Sequence, residues 1–342
     1  MSKLALFAVK FNRMAIDSNK KLLRLQLFAV AIGLLLLLAK FAAYFLTHSN
    51  TILTDALESI INVVAGAFAL YSLYLSSKPK DSDHPYGHGK VEFISAGFEG
   101  VLIAIAGLVI IVKSVIAFFN PRQLENLGIG LVIIAISGVV NFGLGYFMKR
   151  TGENENSLTL KADGEHLLSD AYSSFGILVG LVLIMATGFI WLDNVVAILF
   201  GFIIAYTGIK LMRKSVAGIM DEADEKIIDE IIKHLAEHRK EEWIDIHNLR
   251  IIQYGNKLHI DCHATLPWYY TLEQAHNEME EIAALINEKH AAQVEFFIHG
   301  DPCIKESCKI CSISACPVRQ EQFKYKIEWS LENVVRNKKH GL

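Results

Sequence analysis

Proline is scarce in this chain, with 6 in 342 residues, which leaves no room for a proline-rich linker or a polyproline recognition segment. Cysteine is scarcer, and four of the 5 fall in the single run CIKESCKICSISAC, so no disulfide framework extends through the fold. Basic excess is missing too. Lys and Arg number 33 against 36 Asp and Glu, a net charge of -3, and no long like-charge run offsets it, which removes the electrostatic footing for nucleic-acid binding. There is no H-E-x-x-H helix, the pattern an intramembrane metalloprotease requires, and no enzymatic role is expected.

What is abundant is apolar surface. Hydrophobic residues make up 52% of the chain and the mean hydropathy is +0.34, outside the ordinary soluble range. They concentrate between residues 26 and 212, whereas the remainder has ordinary soluble composition. A bilayer is crossed by about 20 apolar residues in a helix. Six stretches qualify: 26–47, 52–76, 92–119, 126–148, 159–187 and 190–212. The first 24 residues carry Lys3, Lys10, Arg13, Lys20, Lys21 and Arg24 against one Asp17 and lack a cleavage motif, so this end is expected to stay in the cytoplasm uncleaved. Loops after the even-numbered spans hold Lys78, Lys80, Lys90, Lys149, Arg150, Lys161, Lys210, Arg213 and Lys214. The opposite loops hold only Arg122. By the positive-inside rule both termini are cytoplasmic.

The soluble part predicts helix (DEKIIDEIIKHLAEH), a hairpin of IDIHNLRIIQ and LHIDCHATL around YGNK, helix (TLEQAHNEMEEIAALINEKH) and strand (QVEFFIH). The order αββαβ is that of a small two-layer α+β module. Four parts are therefore expected: a cytoplasmic segment 1–24, a six-helix membrane domain 25–213, a cytoplasmic α+β domain 214–302 and a cysteine-containing tail 303–342.

The membrane stretches contain charge, which is costly there and usually functional. TDALESIIN gives Asp55, Glu58 and Asn62, and ADGEHLLSD gives Asp163, His166 and Asp170. Spacing of three and then four puts each set on one helical face. Two such faces together would offer carboxylate, amide and imidazole donors from Glu58, Asn62, His166 and Asp170, a set suited to a zinc-type divalent ion, with manganese or iron(II) admitted by the oxygens. Because His must lose its proton to bind metal, metal and protons compete. The bland alternative is a pair of hydrogen-bonded stripes that hold a bundle together. Asp55 and Asp163, one turn away, would line an access path. Lys40 and Lys113 are expected to snorkel or line the bundle.

The paired D-x-x-[E/H]-x-x-x-[N/D] stripes, the loop DSDHPYGHGK and the ending HGDPC resemble the cation diffusion facilitator family, six-helix metal transporters with a dimerising cytoplasmic ferredoxin-like domain. The likeness runs from about residue 22 to about 303. It implies export of a divalent cation in exchange for protons, with zinc first and iron(II), manganese or cadmium behind it, from a homodimer in the bacterial inner (plasma) membrane. Asn62 departs from the Asp more often found there. The resemblance implies a loop metal site at Asp81, His84 and His88, against which stands a solvated turn. It implies a regulatory cytoplasmic site at His247, His263, His276, His299 and Asp301, with zinc as regulatory ligand, and charges at Lys90 and Asp221 that could bridge the two domains. A membrane-anchored metal sensor or storage protein is the alternative function. Outside the likeness, Cys303, Cys308, Cys311 and Cys316 could close around one zinc ion or form a redox-sensitive or unpaired tail. Strand alternation places Cys262 in the core, away from His263.

Overall fold

The computed structural model describes residues 3–47, 50–119, 128–189, 191–255, 257–289 and 294–340. The chain divides into two compact units, Ile16–Met220 and Asp221–Leu342, the latter together with Met1–Ala15. The first unit is built from six long helices: α1 (Lys3–Thr47), α2 (Asn50–Ser76), α3 (Val91–Phe119), α4 (Gly128–Asn154), α5 (Leu158–Thr187) and α6 (Trp191–Ile219). The N-terminal segment is thus continuous with the first span, without a helix break at residue 24. Helix α6 continues past 213, the expected end of the membrane domain, because KSVAG keeps the helical pattern up to the turn before Asp221.

Among the described residues, four helices are long and apolar enough to cross a membrane: Asn19–Ala42, Ser59–Ser76, Val91–Ala117 and Asn194–Ile219. The expected count of six is met as helices but not as apolar spans. Helix α5 gives much of its first half to Asp163, Glu165, His166 and Asp170. Large apolar side chains such as Leu35, Phe119, Phe202 and Tyr206 stand exposed along this unit, a surface compatible with lipid and not with water. Arg122 lies outside the described residues.

Inside the unit, close approach is made by glycine. A Cβ on Gly107 of α3 would sit 2.5 Å from Ala205 N and 2.7 Å from Gly201 O of α6, and one on Gly208 would collide with Ala104 of α3. Helices α4 and α5 meet the same way, with Gly164 against Lys149 N at 2.5 Å. Small residues let backbones touch where no hydrophobic drive separates helix from lipid.

The second unit follows the αββαβ order. Helix α7 (Glu225–Glu237) starts at Asp224, whose side chain accepts from Lys226 N and Ile227 N, a normal N-cap. Its Ile228, Ile231, Ile232 and Leu235 recur at helical spacing and are buried. Strands β1 (Asp245–Tyr254) and β2 (Lys257–Leu266) pair antiparallel. Helix α8 (Leu272–Lys289) then carries the chain over to β3 (Val294–Pro302), which pairs with β2 in parallel and gives the order β1-β2-β3. Ile246, Leu249, Ile251, Ile260, Cys262 and Ala264 face α7 and α8 in one core. Cys262 is 2% exposed and burial pushes its thiol up to about 12.

One irregularity decides what the other sheet face carries. Between His247 and Arg250 the register slips by one residue, a β-bulge. Asn248 takes φ +54 there, a conformation Asn tolerates better than most residues, and its N–H reaches Arg336 O at 2.8 Å. The extra residue keeps both Ile246 and Leu249 inward while His247 points to the opposite face. After β3 comes a short helical turn α9 (Lys305–Lys309, 3-10 type), then an extended run and α10 (Leu331–Val334).

Candidate metal centres

Helices α2 and α5 bring their polar stripes together. Asn62 Nδ2 donates to Asp170 Oδ2 at 2.6 Å, and Asn62 Oδ1 lies 3.1 Å from His166 Nε2. One turn earlier on α5, Asp163 accepts from Gln26 of α1 at 2.5 Å, and Gln26 also donates to the Gly66 carbonyl of α2 at 3.1 Å. Asp163 is buried in this network. Glu58 and Asp55 occupy the same helix as Asn62, one and two turns earlier, and their side chains lie outside the described residues. Lys40 is buried and donates to Ser59 Oγ at 2.8 Å, so it lines the bundle.

Sequence reasoning missed Glu99. This fully buried carboxylate of α3 stands 2.8 Å from His166 Nδ1, close enough for an ion pair though off the line of a good hydrogen bond. Both ring nitrogens of His166 therefore face acceptors, Glu99 on one side and the Asn62 carbonyl on the other. That environment suits an imidazolium, which has two donors and no acceptor. A metal ion binding through Nε2 has to displace a proton. The signal for Glu99 was present: it is a carboxylate set in the apolar sequence of α3, two turns past Glu92.

The loop between α2 and α3 gathers a second set. Ligand atoms of Asp81, His84 and His88 all lie within 4.8 Å of one another. Asp81 accepts the backbone N–H groups of Asp83 and His84 at 3.1 and 2.7 Å, which folds the loop around its carboxylate. The His84 N–H bond is the main cause that holds the Asp81 carboxyl below its usual range. Gly87 turns the chain at φ +91, and the His84 and His88 rings end 4.3 Å apart. Lys90 follows, immediately before α3, and Asp221 sits at φ +56 just after α6.

On the face of the sheet away from α7 and α8, His247, His263 and His299 occupy one row, paired residue to residue across β1, β2 and β3. Their rings follow at 5.1 and 4.8 Å. Asp301, two residues on from His299, approaches His247 Nε2 at 3.4 Å, His263 Nδ1 at 3.2 Å and His299 Nε2 at 3.5 Å. His247, His263 and Asp301 offer ligand atoms within 4.8 Å of one another. The buried His247 Nδ1 has no well-aligned hydrogen-bond partner, and burial pushes the His247 imidazole below its ordinary value against the opposing pull of Asp245 and Asp301. The donor set fits a borderline cation such as zinc. His276 is not drawn in. It stands on the exposed side of α8 next to Glu280 at 3.8 Å, because its neighbours on that helix turn the opposite stripe, Ile282 and Ile286, into the core. A third group, His234, Glu237 and His238 on α7, was not anticipated. Its two rings approach the carbonyls of Leu285 and His234, which gives them a structural role.

The four tail cysteines line one pocket of ≈ 70 Å³ beside Trp268 and Arg319. Burial raises the thiols of Cys303 and Cys311 above their usual value.

Comparison with known proteins gives these features a context. Residues 26–220 match the cation efflux transmembrane domain, and residues 223–303 match the cytoplasmic domain of cation efflux proteins. The chain is 32% identical over 250 residues to an uncharacterized transporter of Synechocystis, covering 73% of this chain and 81% of that one. It is 26% identical to the cation-efflux pump FieF of Shewanella oneidensis (80% and 92% covered). It is 25% identical to a cadmium, cobalt and zinc/H(+)-K(+) antiporter of Bacillus subtilis (86% and 93% covered).

Proposed function

The chain belongs to the cation diffusion facilitator family of metal transporters, and from that premise we propose that it exports a divalent transition metal, zinc first, from the cytoplasm in exchange for protons. The observation that carries this reading is the convergence of Asn62, His166 and Asp170 from two helices. Glu58, one turn before Asn62 on α2, completes the donor set. Iron(II), manganese and cadmium are the alternatives, since oxygen donors admit harder ions and the imidazole softer ones.

Proton coupling is supported by the surroundings of His166. Both ring nitrogens face acceptors, Asn62 Oδ1 and Glu99, an arrangement suited to protons on the ring that a binding cation would displace. Glu99 also bears on the departure at Asn62. An Asp at that position would face Asp170 across a hydrogen bond and repel it, whereas the amide donates to Asp170. The negative charge absent from position 62 is supplied from α3, behind the histidine.

The remaining parts of the reading follow the family and the charge pattern: all six helices span the plasma membrane, both termini are cytoplasmic, and two copies associate through the ferredoxin-like units. Metal at the His247–His263–Asp301 group would bias the pair toward a transport-competent geometry. Occupation of the Asp81 loop would load metal at the membrane face.

Proteoliposomes enclosing a metal-sensitive dye test the proposal. Zinc influx into inside-out vesicles is expected with a counterflow of protons, and Asp170→Ala is expected to abolish both. If zinc, manganese and iron(II) all fail to move, the membrane-anchored sensor takes the place of the transporter. Full flux in the Asp170→Ala chain would show that the site has been misassigned.

A further inference from the structure

Residues beyond 303 lie outside both family matches, yet the segment is held in place, with little regular structure of its own. Its only helical turn before α10 is Lys305–Lys309; its far end is anchored in the main core by Trp329 and Val334, whereas the part nearer β3 contributes only Ile310 and Cys311 to a small cluster with Ile244. That nearer part has few apolar contacts of its own, and small irregular folds usually rely on a staple.

We propose that Cys303, Cys308, Cys311 and Cys316 form a tetrathiolate site for a thiophilic divalent cation of the zinc class, which fastens the tail to the sheet. All four cysteines line one pocket whose wall contributes no imidazole or carboxylate, so sulfur is the only anionic donor it offers, beside the neutral oxygens of Ser307 and Gln320. Such a site selects zinc or cadmium over manganese or magnesium, a different preference from that of the mixed oxygen and nitrogen sites.

The backbone is arranged to support sulfur ligands. Cys303 extends β3 by one further bond, its N–H to Leu266 O at 2.8 Å, while Trp268 N–H donates to its sulfur at 3.4 Å. The Ile313 N–H donates to the Cys311 sulfur. Hydrogen bonds of this kind orient ligands around a metal. The Arg319 guanidinium then fixes the path of the loop by donating to the carbonyls of Cys308, Cys311 and Ile313 at 3.1, 3.1 and 2.6 Å.

Charge agrees with this assignment. Four thiolates around a divalent ion leave two negative charges, and two cations, Arg319 and Lys305, line the same pocket. Lys305 also reaches Glu321 at 3.9 Å. None of the five cysteines is paired in a disulfide. No three of the four sulfurs lie within 4.8 Å of one another, so holding a zinc-class ion would require them to close to the Zn–S distance of about 2.3 Å.

The test uses the full chain in detergent, stripped of metal under reducing conditions and titrated with cobalt(II). The wild-type chain is expected to develop intense sulfur-to-cobalt charge-transfer bands with the visible spectrum of a tetrahedral thiolate site. Zinc should bleach them. Cys308→Ser/Cys311→Ser should lose the bands and one metal per protomer. Asp170→Ala/His263→Ala should keep them, which separates this site from the transport and sheet sites and from the outcome of the flux assay. Should the cysteine variant not fold, the wild-type spectrum alone decides. Absence of thiolate bands in the wild type, or recovery of the tail peptides as disulfides from freshly lysed cells, overturns the proposal.

Discussion

Glu99 shows what a linear reading of side chains omits. The stripes on α2 and α5 were legible because their spacing repeats, and Asn62, His166 and Asp170 do meet. Glu99 has no partner three or four residues away on its own helix, so only the packing of α3 against α5 gives it a role. Replacing it with Gln keeps the shape and removes the charge beside His166. Outer partners of this kind typically change metal affinity by about 10–100-fold. Glu99→Gln is therefore expected to weaken zinc binding at the membrane site by on the order of 10-fold and to shift the pH dependence of flux. Calorimetric titration of the purified chain with unchanged affinity would remove Glu99 from the mechanism. His247 makes a second prediction. Burial holds its folded-state pKa below the unfolded value, about 6.5. As pH falls through about 6.5 the unfolded chain takes up the proton first, so the residue's contribution lowers stability from there down to its folded pKa. Thermal melts of the metal-stripped chain, followed by tryptophan fluorescence, should drop as pH falls below about 6.5. The drop should be shallower in His247→Gln.

Among the elements, the order αββαβ could be read from alternating and helical periods, and so could the inward face of Cys262. The bulge at Asn248 could not. Alternation in DIHNLRIIQ fits either face until a partner strand fixes the register, and the extra residue is settled by β2 and by the Arg336 carbonyl. The apolar periods of α3 and α6 likewise announced spans without saying that they touch. Their contact rests on Gly100, Gly107, Gly201 and Gly208, glycines that in sequence look like ordinary breaks in an apolar helix. Gly107→Leu has to push α6 away from backbone atoms that have no rotamer to yield. A loss of roughly 1–3 kcal/mol or more is expected, seen as a lower melting temperature or the loss of a monodisperse peak in detergent. Gly143, which has nothing within 4 Å of an added Cβ, should accept Ala with little change.

At the level of the whole molecule, composition separated a membrane part from a soluble part, and the family matches divide the chain at nearly the same place, between residues 220 and 223. The residues that the family likeness implied for the loop and the sheet do come together as groups of His and Asp, although within one copy His276 stands apart from the sheet group. On the proposal that two copies associate through this unit, the exposed His276 is open to contact from the second copy. Zinc is thus expected to tighten self-association of the chain in detergent, and His263→Ala to reduce that tightening by about 10-fold, as the removal of a metal-site partner typically does. Sedimentation velocity with and without zinc checks this, and equal association in both conditions would count against a metal-regulated dimer.

The row His247, His263 and His299 has a mechanical meaning as well. Three strands carry one imidazole each at the same register, and a cation shared across the row with Asp301 would act as a shear pin. Force applied along β3 from its C-terminal end would load the parallel β2–β3 pair lengthwise. Sliding by a single residue would turn His299 to the other face and strip the ion of a neighbour. In single-molecule pulling, zinc should raise the rupture force of this sheet far more than it would if the same ligands sat on one strand.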